Sequence, residues 1–125
     1  MGRDYVVTGT SVKIIRQVLL ALQAEGAGRC VVIGDGATQE LSRTLLCDEI
    51  HVISICRADA PPDDARFVQL VNHYAALRDD TVLIPADVEG ARMVARNPTA
   101  LRIRVTPFSP PELLDVLNDK WRFFQ

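Results

Sequence analysis

The sequence contains no apolar run approaching the roughly 20 residues that a bilayer-spanning helix requires, which argues against a transmembrane segment. Its start, Met1-Gly2-Arg3-Asp4, leads straight into a short apolar run and lacks the long hydrophobic region of a secretory signal. Val6 stands where a myristoylation signal needs Ser or Thr. An excess of one charge is missing too. Fourteen Lys and Arg against 16 Asp and Glu, mixed along the chain, leave a net charge of −2. That balance offers no electrostatic footprint for nucleic acid or a membrane surface, and neither partner is expected. Cysteine is sparse and odd in number: Cys30, Cys47 and Cys56 show no C-x-x-C pairing, so neither a disulfide framework nor a zinc site follows. Buried, inert thiols in a reducing, cytoplasmic setting are the expectation. Internal repeats, low-complexity tracts and flexible linkers are absent as well.

What is present is a core-forming composition, 48% hydrophobic over 125 residues, a length that suits one domain. Short β-branched runs alternate with longer amphipathic stretches, the pattern of a parallel sheet covered by helices. Tyr5-Val6-Val7-Thr8 reads as the first strand, broken by Gly9. Thr10 or Ser11 can cap the helix that follows, whose apolar face is Val12, Ile15, Leu19 and Leu22, widened by Ile14 and Val18. Gly26 suits the left-handed position just past its end. Cys30-Val31-Val32-Ile33 is the second strand, apolar throughout as befits burial on both faces. Residues 38–46 are poorly periodic and hold at most a short helix, and residues 49–55 read as the third strand.

After Pro61-Pro62, Asp63 or Asp64 caps a helix with Phe67, Leu70, Val71, Tyr74 and Leu77 at helical spacing. Thr81-Val82-Leu83-Ile84 forms the fourth strand, residues 88–95 a short helix, and residues 101–105 a fifth strand. Arg102 and Arg104 alternate with apolar residues in that last strand, which suits a sheet edge. Ser109-Pro110-Pro111-Glu112 is a capping box with proline at the first helical position, and Leu113, Leu114 and Leu117 give its helix a stripe. The expected fold is therefore α/β, a doubly wound, mostly parallel five-stranded sheet in the order 3-2-1-4-5. Ligands of such sheets lie beyond the carboxyl ends of the strands.

Chemistry is thinly marked. The turn Thr8-Gly9-Thr10-Ser11 follows a strand and opens a helix, so its N–H groups can meet an anion. A dinucleotide fingerprint needs three glycines, however, and only Gly9 fits; no Walker lysine pattern exists either. Asp35 ends the second strand, where a ribose hydroxyl is often held, but an Asp between two glycines also makes a turn. Asp87 and Glu89 follow the fourth strand near a helix N-terminus, where the helix dipole favours acids without any function. His51 and His73 have no ligand partner at metal spacing, and no metal site or complete catalytic set can be assembled. The tail is anomalous, with Trp121, Phe123 and Phe124 among the last five residues, after a well-capped helix.

Taken together, Val7-Thr8-Gly9-Thr10, Val31-Val32-Ile33-Gly34-Asp35, Ser42-Arg43 with Asp48-Glu49-Ile50, and Val82-Leu83-Ile84-Pro85 with Asp87 and Glu89 resemble the opening lobe of ATP-grasp carboxylate–amine ligases. The most specific segment runs from Ser109-Pro110-Pro111-Glu112-Leu113-Leu114 to Asp119-Lys120-Trp121-Arg122-Phe123 and resembles the junction between that Rossmann-like pre-ATP-grasp lobe and the ATP-grasp domain. Similar lobes occur in biotin carboxylase, D-alanine–D-alanine ligase and the large subunit of carbamoyl phosphate synthetase. The resemblance implies a pre-ATP-grasp domain over residues 1–118 and the first turn of a truncated ATP-grasp domain over 119–125. It implies ATP and Mg2+ as cofactors of the full-length protein, with Lys120 approaching the phosphates as a compact cation. Gly9, Thr10, Asp87 and Glu89 would line the substrate side of the cleft, facing a small-molecule carboxylate.

The partner it implies is the downstream domain of the same chain, without which this segment is expected to be inactive and to bind ATP weakly. The competing reading is a free-standing Rossmann-like binding or dimerisation module, with the aromatic tail as a homodimer contact. A nicotinamide-dependent oxidoreductase ranks below both because the phosphate-binding glycines are missing. A receiver domain ranks lower still, since no phospho-acceptor Asp ends the third strand.

Overall fold

The computed structural model describes residues 2–55 and 61–105. Five parallel strands, β1 (Tyr5–Gly9), β2 (Cys30–Gly34), β3 (Glu49–Val52), β4 (Val82–Pro85) and β5 (Arg104–Val105), form one sheet in the order β3-β2-β1-β4-β5. Three α-helices, α1 (Val12–Ala24), α2 (Asp64–Leu77) and α3 (Val88–Ala95), and a 3-10 helix at Gly36–Arg43 join them. This is the Rossmann-like architecture and strand order read from the pattern. No helix among the described residues is long and apolar enough to cross a membrane.

Strand alternation divides the core into two layers. Tyr5, Val7, Cys30, Val32, Val82 and Ile84 point to one face, under Ile15, Val18, Leu19 and Leu22 of α1 and Leu41 of the 3-10 helix. Val6, Val31, Ile33 and Leu83 point to the other, against Phe67, Leu70, Val71 and Tyr74 of α2 and Met93 of α3. Both faces of β1, β2 and β4 are thus covered, which is why those strands are apolar without alternation.

Local signals set the helix ends. Ser11 caps α1 by accepting the Ile14 N–H at 3.3 Å, and Asp63 caps α2 by accepting the Arg66 N–H at 3.1 Å. Gly26, at φ 78°, takes the left-handed position beyond α1. The segment after β2 becomes a 3-10 helix because hydroxyls compete for its carbonyls. Thr38 Oγ1 donates to the Asp35 carbonyl at 2.5 Å, and Thr44 Oγ1 to the Leu41 carbonyl at 2.7 Å.

Both edge strands depart from the sequence pattern: β3 ends early and β5 starts late. β3 was expected over residues 49–55 but stops at Val52, paired with Gly34, the last residue of β2. Beyond it the Ser54 carbonyl accepts the Asp63 N–H at 2.7 Å, and Ile55 turns into the core at 2% exposure. β5 was expected over 101–105 but starts at Arg104, and among the described residues it holds Arg104 and Val105. The chain just before it is clasped by Asn72 of α2, which donates to the Ala100 carbonyl at 2.9 Å and accepts the Arg102 N–H at 2.8 Å. Those backbone groups are occupied by a side chain, so the ladder starts late. Smaller shifts affect the other strands: β1 and β2 each run one residue further, and β4 begins at Val82 rather than Thr81. The capped helix expected from Ser109, Cys56 and the 119–125 segment lie outside the described residues.

Among the thiols, Cys30 is buried and Cys47 half-buried, and both are free. Burial, reinforced by the charge of Asp48 and then by Cys47 and Asp4, pushes the Cys30 thiol from about 9.0 up to about 12. An unfolded chain ionises this thiol near its ordinary value, so the associated stability is fully present below about pH 9 and declines as pH rises towards 12. Cys30 should therefore stay unmodified by iodoacetamide at pH 8 in the folded protein and react once the chain is unfolded, as peptide mass spectrometry would report. Rapid modification of Cys30 in the folded protein would contradict this packing.

Candidate functional site

The strand order reverses direction between β1 and β4, which pair directly from Tyr5↔Val82 to Thr8↔Pro85. Beyond their carboxyl ends lie two turns, Gly9-Thr10-Ser11 into α1 and Ala86-Asp87 into α3. This is the switch point at which doubly wound sheets form a ligand crevice. The Ala86 N–H donates to the Thr8 carbonyl at 2.8 Å and draws the turns together.

Asp87 sits between them. Its Oδ1 accepts the Gly90 N–H at 2.9 Å and so caps α3. Its Oδ2 accepts the N–H groups of Thr10 and Ser11, each at 2.8 Å. One carboxylate thus serves the amino ends of two helices and three backbone donors, in the place where a phosphate would meet the α1 dipole. Two glycines make the approach possible. A methyl group at Gly9 would sit 2.7 Å from Asp87 Oδ2, and one at Gly90 would collide with the Thr8 carbonyl oxygen.

The site residues proposed from the sequence are distributed unevenly around this bond network. Gly9, Thr10 and Asp87 come together. The Asp87 side chain, however, is held by backbone groups of its own chain. Thr10 is half-buried on the rim. Glu89, in the first turn of α3, pairs with Arg92 at 2.9 Å rather than pointing at the Asp87 network. Asp35 caps the 3-10 helix, its Oδ1 accepting the Gly36 N–H at 2.6 Å and its Oδ2 the Ile55 N–H at 3.5 Å, which is the turn-forming role. Lys120 lies outside the described residues. Thr8, fully buried at the end of β1, has an Oγ1 with no hydrogen-bond partner among the described residues.

A second polar cluster was not foreseen from sequence. On the α2-facing side of β3, Tyr74 reaches His51. The His51 Nε2 is 2.6 Å from the Tyr74 hydroxyl, and the rings of His73 and Tyr74 meet edge to face at 5.0 Å. The direction of the His51–Tyr74 bond follows the tautomer of the imidazole: a protonated Nε2 donates to the hydroxyl, and a bare one accepts from it. Burial, then the charge of Glu49, raise the Tyr74 hydroxyl above its ordinary range. Arg29, just before β2, pairs with Glu49 of β3 at 3.7 Å on the surface. No group of three or more His, Cys, Asp or Glu that could hold a metal gathers among the described residues.

The sequence matches no protein-family model and no curated protein. The geometry of the switch point is therefore the main guide to function. Replacing Asp87 with Ala should remove about 2–4 kcal/mol of stability, the combined scale of a lost helix cap and charge-assisted bonds. The freed amides should then accept an external anion, so acetate or phosphate should raise the melting temperature of Asp87→Ala more than that of the parent. Thermal unfolding with and without the anion checks this. An unchanged melting temperature on substitution would show that the carboxylate does not hold the turns.

Proposed function

We propose that this chain is the substrate-side lobe of an ATP-dependent carboxylate–amine ligase that works through an acyl phosphate. The observation that carries the reading is Asp87. Its carboxylate occupies the α1 amino end, so the lobe has no free anion cradle there for the phosphates of a nucleotide. A dinucleotide-binding oxidoreductase needs that cradle, and so does a free-standing nucleotide-binding module built on the switch point. A ligase lobe does not, because its nucleotide is held by the domain that follows. The resemblance of Asp119-Lys120-Trp121 to the junction between those domains supports the same assignment.

On this reading ATP and Mg2+ belong to the full-length protein, and Lys120 contributes one cation to the phosphates from the junction. The substrate carboxylate takes a phosphoryl group, and an amine then displaces phosphate to form the carbon–nitrogen bond. The lobe's own contribution is a fixed wall. Gly9 and Asp87 hold the two turns in register, and Thr10 and Glu89 stand where the substrate passes. Phosphate and metal binding need several donors, so this lobe alone is inactive. A cytoplasmic setting accords with the reading.

Calorimetry with Mg-ATP tests the proposal, using this chain and the chain continued through the codons that follow Gln125 in its gene. The 125-residue chain should show no tight binding. The continued chain should bind, and Lys120→Ala should weaken that binding by about tenfold or more, the scale of one lost charge-assisted contact. Tight binding by the short chain would overturn the reading, as would a stop codon directly after Gln125.

A further inference from the structure

The opposite, amino-terminal end of the sheet carries a cavity of about 210 Å3 lined by Arg3, Asp79, Asp80, Thr81 and Arg104. Three elements meet there: the segment before β1, the turn before β4 and the start of β5, where Arg104 pairs in register with Val82. Thr81 is its most buried wall, at 3% exposure, and the hydroxyl of that residue has no hydrogen-bond partner among the described residues.

The charges around this cavity do not neutralise one another. Arg78 pairs with Asp4 at 3.2 Å and with Asp80 at 3.4 Å, which partly satisfies Asp80. Among the described residues Arg3, Arg104 and Asp79 make no ion pair. Most arginines elsewhere on the described surface are engaged: Arg16 with Glu40, Arg29 with Glu49, Arg92 with Glu89 and Arg96 with Asp64. Here two guanidinium groups and a carboxylate border one space without closing on each other.

We propose that this cavity is a binding site for a small zwitterion of the α-amino acid class. Its carboxylate would lie between Arg3 and Arg104, whose planar donors suit a carboxylate, and its ammonium would face Asp79. A plain anion is matched less well, because Asp79 and Asp80 repel it. A plain cation meets the two arginines. The site is separate from the ligase reading, since it lies at the other end of the strands from Asp87.

Amide NMR titration of the intact chain tests this with L-alanine against propionate and ethylammonium, which carry its two charges singly. L-Alanine should shift the amides of Arg3, Thr81 and Arg104 saturably, and each single-charge analogue should bind about tenfold more weakly or worse. Arg104→Ala should weaken L-alanine by a similar factor. Asp79→Asn should weaken L-alanine while leaving propionate equal or tighter. These side chains are exposed, so both variants should keep the parent's spectral dispersion. The proposal fails if L-alanine produces no saturable shift at these amides. It fails equally if propionate binds as tightly as L-alanine, which marks a simple anion site, or if Arg104→Ala titrates like the parent.

Discussion

The carboxylate of Asp87 is the interaction on which the rest of the arrangement depends. The sheet grows outward in two directions from β1 and β4, and the chain crosses between the halves through α2. Beyond the carboxyl ends of the two central strands, Asp87 bonds both turns, taking the Thr10 and Ser11 amides with one oxygen and the Gly90 amide with the other. The amino ends of α1 and α3 each carry partial positive charge, and they would repel across so short a gap. A single negative group between them turns that repulsion into a bond. Gly9 and Gly90 follow from it, because each gives up a side chain to let the turns close.

That bond also sets what the crevice can do. In a nucleotide-binding sheet the same amides are left for phosphate, and glycines let the ligand's oxygens approach the backbone. Here the approach is made by the protein's own acid. The carboxyl end of the sheet becomes a wall with half-buried Thr10 on its rim. The amino-terminal end, by contrast, has Arg3 and Arg104 beside Thr81 without an ion pair among the described residues. The two ends of one sheet therefore differ in kind: one consumes its electrostatic capacity internally, and the other leaves it available.

Much of the fold could be read directly, because local chemistry decided it. Apolar runs such as Cys30-Val31-Val32-Ile33 have one comfortable place, between two helical layers. Ser11, Asp63 and Gly26 act within a few residues of where they stand, so their roles were visible in the sequence. The edges were misjudged for a different reason. The start of β5 depends on Asn72, which reaches from α2 to hold residues 100 and 102. The end of β3 depends on where its neighbour β2 ends. The site was legible only by position. Asp87 could be placed at a helix start, but its bond to Thr10 spans 77 residues, and no periodicity reports such a contact. The His51–Tyr74 bond was hidden in the same way, since a strand histidine and a helix tyrosine meet only once α2 has packed.

The most direct test of the closed switch point is amide hydrogen exchange at Thr10 and Ser11. These residues lie in a half-buried turn at the start of a helix, where free amides would exchange quickly. If Asp87 holds them, both amides should be protected to nearly the same degree as those of the central strand β1, and Asp87→Ala should abolish that protection. Fast exchange at Thr10 and Ser11 in the unaltered protein would show that the crevice is open, and the account of its carboxyl end as a closed wall would be wrong.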